Sequence, residues 1–311
     1  MKLLPITLIL LLTATGCEPQ PAKTETRLSL AEARRGFKTQ LTAQATDEEP
    51  AEEPQANDFQ LVKYESPVGK LAAYLTPDPH DGKKHPAIIW IAGGDCASIG
   101  DVWTPAPADN DQTASAYRQA GIVMLFPSLR GGNDNPGRKE GFLGEVDDVL
   151  AATNFLQAQH YVDAKRIYLG GHSTGGTLAL LVAESTNRYR ATFAFGPVES
   201  AADYGTDSGF LPFDPTNQRE VELRTPGLWL HSIQTPVWVF EGTEQGNIES
   251  LRAMAKTSTN PQVRFIPVRG ASHFSILSPT NQLIAQKILA DNGPLSNLDL
   301  SEKTVNQNFN Q

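Results

Sequence analysis

The chemistry in this chain begins at Gly171-His172-Ser173-Thr174-Gly175. A serine hydroxyl is a weak nucleophile at neutral pH and attacks only where it is exposed and a base takes its proton. Glycines flanking a serine permit the sharp strand-to-helix turn that lifts the hydroxyl above a sheet, close to a helix N-terminus. The context fits: the apolar run Arg166-Ile167-Tyr168-Leu169 precedes the motif and a helical pattern from Thr177 follows it. Ser173 is therefore the candidate nucleophile of an acyl transfer. His80, His85, His160 and His172 show no paired ligand spacing, so a metal site has no support, and serine chemistry needs no cofactor.

Elements able to carry such a turn surround it. Phe59 to Tyr64 and Lys70 to Leu75, separated by Ser66-Pro67-Val68-Gly69, read as an antiparallel hairpin. Six short apolar runs bounded by turn residues then read as buried strands: 87–91, 122–126, 166–169, 191–195, 236–240 and 263–268. Helical patterns lie between them at 112–119, 144–157, 177–184, 247–257 and 280–291. This alternation is that of a mostly parallel sheet with helices on both faces and an antiparallel N-terminal hairpin, the layout of the α/β-hydrolase fold. No repeat and no second core are visible, so residues 58–292 form one catalytic domain.

That fold presents nucleophile, acid and histidine in chain order. His231 precedes the strand that should deliver the acid, whereas His273 follows the last strand, so His273 is the expected base. The acid belongs just after 236–240, in Glu241-Gly242-Thr243-Glu244-Gln245-Gly246-Asn247. Counting Gly-x-x-Asp from Gly242 puts Gln245 at the usual acid position. Glu244 is one residue early, and Glu241 ends an apolar strand where an unpaired charge is costly. Both remain open, with Glu199 and Asp203 as further alternatives after the preceding strand. The oxyanion needs backbone N–H donors, expected from Thr174 and from Gly94 or Asp95 in Ala92-Gly93-Gly94-Asp95.

Taken together, the runs 127–132, 144–152, 161–167, 170–176 and 223–226, with the His273 loop, resemble the catalytic domain of the prolyl oligopeptidase family. Dienelactone hydrolases and acyl esterases share much of the pattern. The resemblance implies a serine hydrolase that cleaves a carboxylic ester or a small peptide amide, and excludes a β-propeller for lack of chain. Two features depart from it: the moved acid, and Ala92 where many members carry Tyr or His. The moved acid leaves open a catalytically silent binding or scaffold protein on the same fold. Asp147, Asp148 and Arg130 are expected to hold loops. Tyr204, Phe210, Leu211, Phe213 and Trp229, between Glu199 and Gln234, could line a substrate pocket or form local core.

The remaining chain concerns placement. With 26 Lys and Arg against 35 Asp and Glu, the chain lacks the cationic excess that binding phosphate backbones requires, so no nucleic-acid partner is expected. Residues 1–17 combine Lys2, a short apolar run and Ala14-Thr15-Gly16-Cys17, which resembles a bacterial lipobox. Cys17 is the expected lipidation site, giving a membrane anchor at the cell envelope, outer membrane or facing the periplasm. Residues 18–57, rich in Glu, Ala, Pro and Gln, read as an acidic tether. Within it Ser29 and Glu32 form a capping-box pattern for a short helix bearing Leu30, with Phe37 and Leu41 on the same side, which could dock on the main domain or contact a partner. Residues 293–311 read as a polar tail.

Overall fold

A computed structural model describes residues 27–43, 46–55, 57–205 and 210–309. Cys17 and the expected 1–17 leader lie outside these residues. Among the described residues, eight strands form one sheet: β1 Gln60–Ser66, β2 Gly69–Leu75, β3 His85–Ile91, β4 Val123–Pro127, β5 Val162–His172, β6 Thr192–Phe195, β7 Val237–Gly242 and β8 Val263–Val268. Their spatial order is β1-β2-β4-β3-β5-β6-β7-β8. The β1–β2 and β2–β4 pairs are antiparallel and the rest parallel. This is the α/β-hydrolase arrangement.

The helices are α1 Leu30–Ala33, α2 Ser115–Gln119, α3 Gly144–Gln157, α4 Thr174–Ser185, α5 Gln218–Glu222, α6 Pro226–Trp229, α7 Ile248–Thr257, α8 Leu277–Ala290 and α9 Glu302–Phe309. Side chains alternate across a strand, so a strand buried on both faces reads as a continuous apolar run. On β3, Ala87, Ile89 and Ile91 enter the core shared with α3 and α4, while Ile88 and Trp90 enter the core shared with α2 and α8. Chain order thus places β5 at the middle of the sheet, with Ser173 at its upper end.

β5 is longer than the run 166–169, and α4 starts at Thr174 rather than Thr177. Gly170 and Gly171 look like turn residues, yet both pair with Trp90 and Ile91 of β3. The Trp90 ring lies where a Cβ on Gly170 would stand, so small residues here serve sheet packing.

The described part of the expected tether is bound to the domain. The Ser29–Glu32 capping box forms, and Leu30 is completely buried. Arg34 donates to the Leu143 carbonyl at 2.7 Å, Leu41 bridges Phe213, Asp47 N–H donates to the Gly131 carbonyl, and Tyr74 donates to the Glu52 carbonyl. The helix docks through Leu30 as one of its two expected outcomes, and Ala33 and Ala51, which the polar average concealed, extend the contact into an arm wrapped on the core. The polar tail is corrected likewise: Leu300 and Val305 are buried and α9 packs on α8 and β8.

Glu184 in α4 is buried, and neither of its carboxyl oxygens has a hydrogen-bond partner among the described residues. Burial holds its pKa well above the usual value of 4.5. The native state therefore binds the proton more tightly than the unfolded chain, and stability falls as pH rises above about 4.5. Glu184→Met is expected to stabilise the protein by about 1–3 kcal/mol at pH 8. The gain should shrink toward pH 5 in thermal unfolding; a gain as large at pH 5 would contradict the assignment.

Candidate active site

Ser173 joins β5 to α4 with φ 57° and ψ −117°, a conformation that L residues rarely adopt. The turn is closed by the Ser173 N–H donating to the Phe195 carbonyl at 2.7 Å. It also requires Gly175, where a Cβ would collide with the carbonyls of Ile91 and Ala92, and Gly171, where one would collide with the Gly175 carbonyl. Three strand ends, those of β3, β5 and β6, thus meet around the serine.

His273 lies in the loop between β8 and α8, and its Nδ1 is 2.9 Å from Glu241 Oε2. Glu241 is the penultimate residue of β7 and fully buried. A buried carboxylate needs donors. Its Oε1 accepts from the Gly242 N–H at 2.7 Å, and its Oε2 accepts from the Asn247 N–H at 2.9 Å. Of the four sequence candidates, Glu241 alone contacts His273. Glu244 is exposed, its carboxylate accepting from the Thr243 hydroxyl, Asp203 caps the turn at Ser200, and Glu199 lies against Gly227. Gly246 allows the close approach, because a Cβ there would stand 2.8 Å from His273 Nδ1. Asn247 adds a tie, its Nδ2 donating to the Gly196 carbonyl at 2.7 Å.

His172 is a positioning residue that the histidine spacing did not reveal. Its Nε2 donates to the His273 carbonyl at 3.0 Å, its Nδ1 faces the Gln112 carboxamide at 3.2 Å, and its ring lies 4.5 Å from that of His273. Burial, then the neighbouring His273, lower its pKa to about 3, so the ring is neutral. Its place immediately before the serine, at the end of a central strand, was the available signal. His231 makes a single bond, to the Leu28 carbonyl, and belongs to the arm contact.

Thr174 opens α4, and its hydroxyl donates to the Gly94 carbonyl at 2.8 Å. This fixes the loop after β3, whose Gly94 has φ +75°, beside the helix N-terminus. The Asp95 carboxylate is engaged by Lys139 at 2.7 Å and by the Ser98 N–H at 2.9 Å. Among the described residues, the Gly94 and Asp95 N–H groups have no hydrogen-bond acceptor.

The loop-holding residues behave as their types suggest. Arg130 donates two buried hydrogen bonds to the Asp148 carboxylate and contacts Glu140 at 2.6 Å, while Asp147 meets Arg34. The aromatic set divides. Phe213 lies beneath Arg224 and Trp229 donates to the Glu222 carbonyl, so both are local core. Tyr204 and Phe210 instead pack with Phe142 beside the site, and the Tyr204 hydroxyl bonds Thr177 at 2.8 Å.

A sequence profile described as the prolyl oligopeptidase family matches residues 109–285. The chain is 28% identical over 152 residues to S-formylglutathione hydrolase of Rattus norvegicus, covering 42% of this chain and 51% of that protein. It is 27% identical over 199 residues to the uncharacterized peptidase YtmA of Bacillus subtilis, covering 58% of this chain and 69% of that protein. A solved Mycobacterium tuberculosis puromycin-hydrolyzing peptidase superposes with a TM-score of 0.61 at 18% identity, over 78% of this chain and 40% of that one. The chain thus spans about half the length of the first of these relatives.

The His172 shift gives a measurable consequence. Neutral His172 favours the native state above the ordinary histidine value of 6.5, and this contribution is lost as pH falls from there toward about 3. His172→Gln, which can still donate to the His273 carbonyl, is expected to lose less stability than wild type between pH 7 and pH 5 in urea unfolding. Parallel losses would mean that the ring is not held neutral.

Proposed function

The chain belongs to the prolyl oligopeptidase family, and on that premise we propose that it is a serine hydrolase cleaving a carboxylic ester or small peptide amide through an acyl-enzyme. The observation that carries this reading is the 2.9 Å bond from buried Glu241 to His273, on the same sheet edge as the strained Ser173. Ser173 Oγ attacks the carbonyl carbon as His273 Nε2 accepts its proton. Glu241 holds Nδ1–H, fixes the tautomer and stabilises the imidazolium. The oxyanion is received by the Thr174 N–H together with that of Gly94 or Asp95. His273 then returns the proton to the leaving group, and water repeats the sequence to release the acid.

The silent-scaffold reading rested on a displaced acid, and Glu241 supplies the carboxylate that it lacked. Glu is longer than Asp by one methylene, so a carboxylate rooted in the strand reaches the histidine that a loop Asp would otherwise serve. The reading extends to placement: the 1–17 leader and Cys17 support a lipid-anchored protein of the cell envelope, on sequence alone.

A fluorophosphonate probe is expected to label wild type and not Ser173→Ala; an unlabelled wild type would sink the hydrolase reading. Glu241→Gln should lower kcat on a short-chain aryl ester by about 10³-fold or more, since orientation and tautomer are lost together. Glu244→Gln should stay within about twofold of wild type, as expected for an exposed loop charge. For placement, Cys17→Ala is expected to move the protein to the soluble fraction, and unchanged membrane association would refute the anchor.

A further inference from the structure

Strands β3 to β8 are parallel and end at the upper rim that carries Ser173, so the turns preceding them form a lower rim on the opposite side. β5 separates the two by roughly 30 Å. The arm begins at the lower rim. There the Leu30 N–H donates to Ser232 Oγ at 3.1 Å, His231 Nε2 to the Leu28 carbonyl at 2.9 Å, and Arg27 to the Leu228 carbonyl at 3.1 Å, all in the segment leading into β7. The end of α8 reaches the same rim. Arg166 of β5 donates to the Ile288 carbonyl at 2.6 Å, and Arg190, just before β6, to the Leu295 carbonyl at 2.8 Å.

Of the five large apolar side chains exposed among the described residues, four belong to this rim: Leu28 (58%), Leu228 (42%), Leu289 (47%) and Leu295 (80%). The fifth, Phe274, adjoins His273. One exposed leucine is ordinary, but a concentration at one rim marks a contact surface. The charges there are mainly positive. Lys165, Arg166, Arg188 and Arg190 line the groove beside Leu295 against one carboxylate, Asp163. Arg190 is held by Asp291, and the other three cations are joined by exposed Arg27. Near Leu228, Glu222 is already paired with Arg219. The upper rim has the opposite sign: the far end of the arm carries Asp47, Glu48 and Glu49, and Asp47 accepts from Ser98 in the loop after β3 at 3.1 Å. The chain has a net charge of −9, so attraction to an anionic surface is a property of the lower rim alone.

We propose that the lower rim rests on a bilayer of anionic phospholipid, its leucines entering the interface and its cations meeting the headgroups, so that Ser173 opens to water on the far side. This rests on the reading of Cys17 as a lipid anchor. Nine residues, 18–26, lie between Cys17 and Arg27, so the chain between them spans at most about 36 Å and ends at this rim. The lipid thus holds the rim near the membrane, where cations gain from the negative surface and apolar side chains from insertion. The acidic upper rim is repelled by the same surface. The substrates that reach Ser173 are then soluble in water and do not enter from the lipid phase.

The test uses the full protein isolated from membranes and bound to preformed vesicles of phosphatidylcholine, with or without phosphatidylglycerol. Leu28→Cys, Leu228→Cys, Leu295→Cys and, on the upper rim, Glu244→Cys each carry a polarity-sensitive fluorophore; Cys96 is buried and stays unlabelled. All four positions are exposed, so the substitutions leave the core intact. On phosphatidylglycerol vesicles, nitroxide lipid is expected to quench the probe at 28, 228 and 295 about threefold or more strongly than at 244. Without phosphatidylglycerol the contrast should shrink. Equal quenching at all four sites, or an undiminished contrast on phosphatidylcholine alone, would overturn the proposal. So would burial of the lower-rim probes without vesicles as protein concentration rises, which would assign the rim to a second copy of the chain. Sedimentation with vesicles but equal quenching defeats this inference only, whereas sedimentation with neither vesicle defeats the anchor reading with it.

Discussion

The site depends on one constraint, the backbone of Ser173 held at φ 57° and ψ −117°. A conformation of this kind costs of the order of 1–3 kcal/mol and persists only where its surroundings over-determine it. Here they do so from three sides: the Phe195 carbonyl takes the Ser173 N–H, Gly175 lies against the end of β3, and Gly171 is paired within the sheet. Because β5 is central, with β3 and β6 on its flanks, relaxing the turn would require moving three strands whose side chains fill both cores. The sheet is thus the support on which the hydroxyl is presented, and the first turn of α4 follows directly with its free N–H groups.

Around this point the histidine is positioned by partners from different elements. Glu241 holds its ring from β7, His172 holds its main chain from β5, and Gly246 leaves room for the Glu241–His273 pair. The His172 bond is a direct coupling between Ser173 and His273, since the residue that grips the His273 loop is covalently next to Ser173. A displacement of the elbow would carry the histidine with it. Asn247, by bonding both the acid through its N–H and the Gly196 carbonyl through its side chain, ties β6 and β7 together beneath the pair.

Much of this was legible in the sequence, for physical reasons that differ by element. The buried strands announced themselves because strands covered on both faces must be apolar throughout, and α3 was placed at 144–157 with both ends right. Ser173 and His273 could be singled out because the proposed chemistry demands particular turns at particular points in the chain. The acid was narrowed but not chosen, since Glu241 and Glu244 differ in which way the chain turns after β7, and that depends on packing against the His273 loop. The rest of the arm and the C-terminal helix were misread because a few buried apolar anchors, Ala51, Leu300 and Val305, outweigh a polar average. His172 was passed over because a lone histidine carries no spacing signal; only burial sets it apart.

The loop before α3 shows how buried charge is held in this fold. Arg130 and Arg224 are both buried, and between them they bind Asp148, Glu140, Glu220 and the carbonyls of Glu140 and Gly141. Such pairs add little net stability, because desolvation consumes most of the Coulombic gain, but removing one partner strands the other at considerable cost. Their effect is therefore on arrangement: the two guanidinium groups fix the Glu140 carboxylate and the Glu140 and Gly141 carbonyls, next to a Phe142 at positive φ.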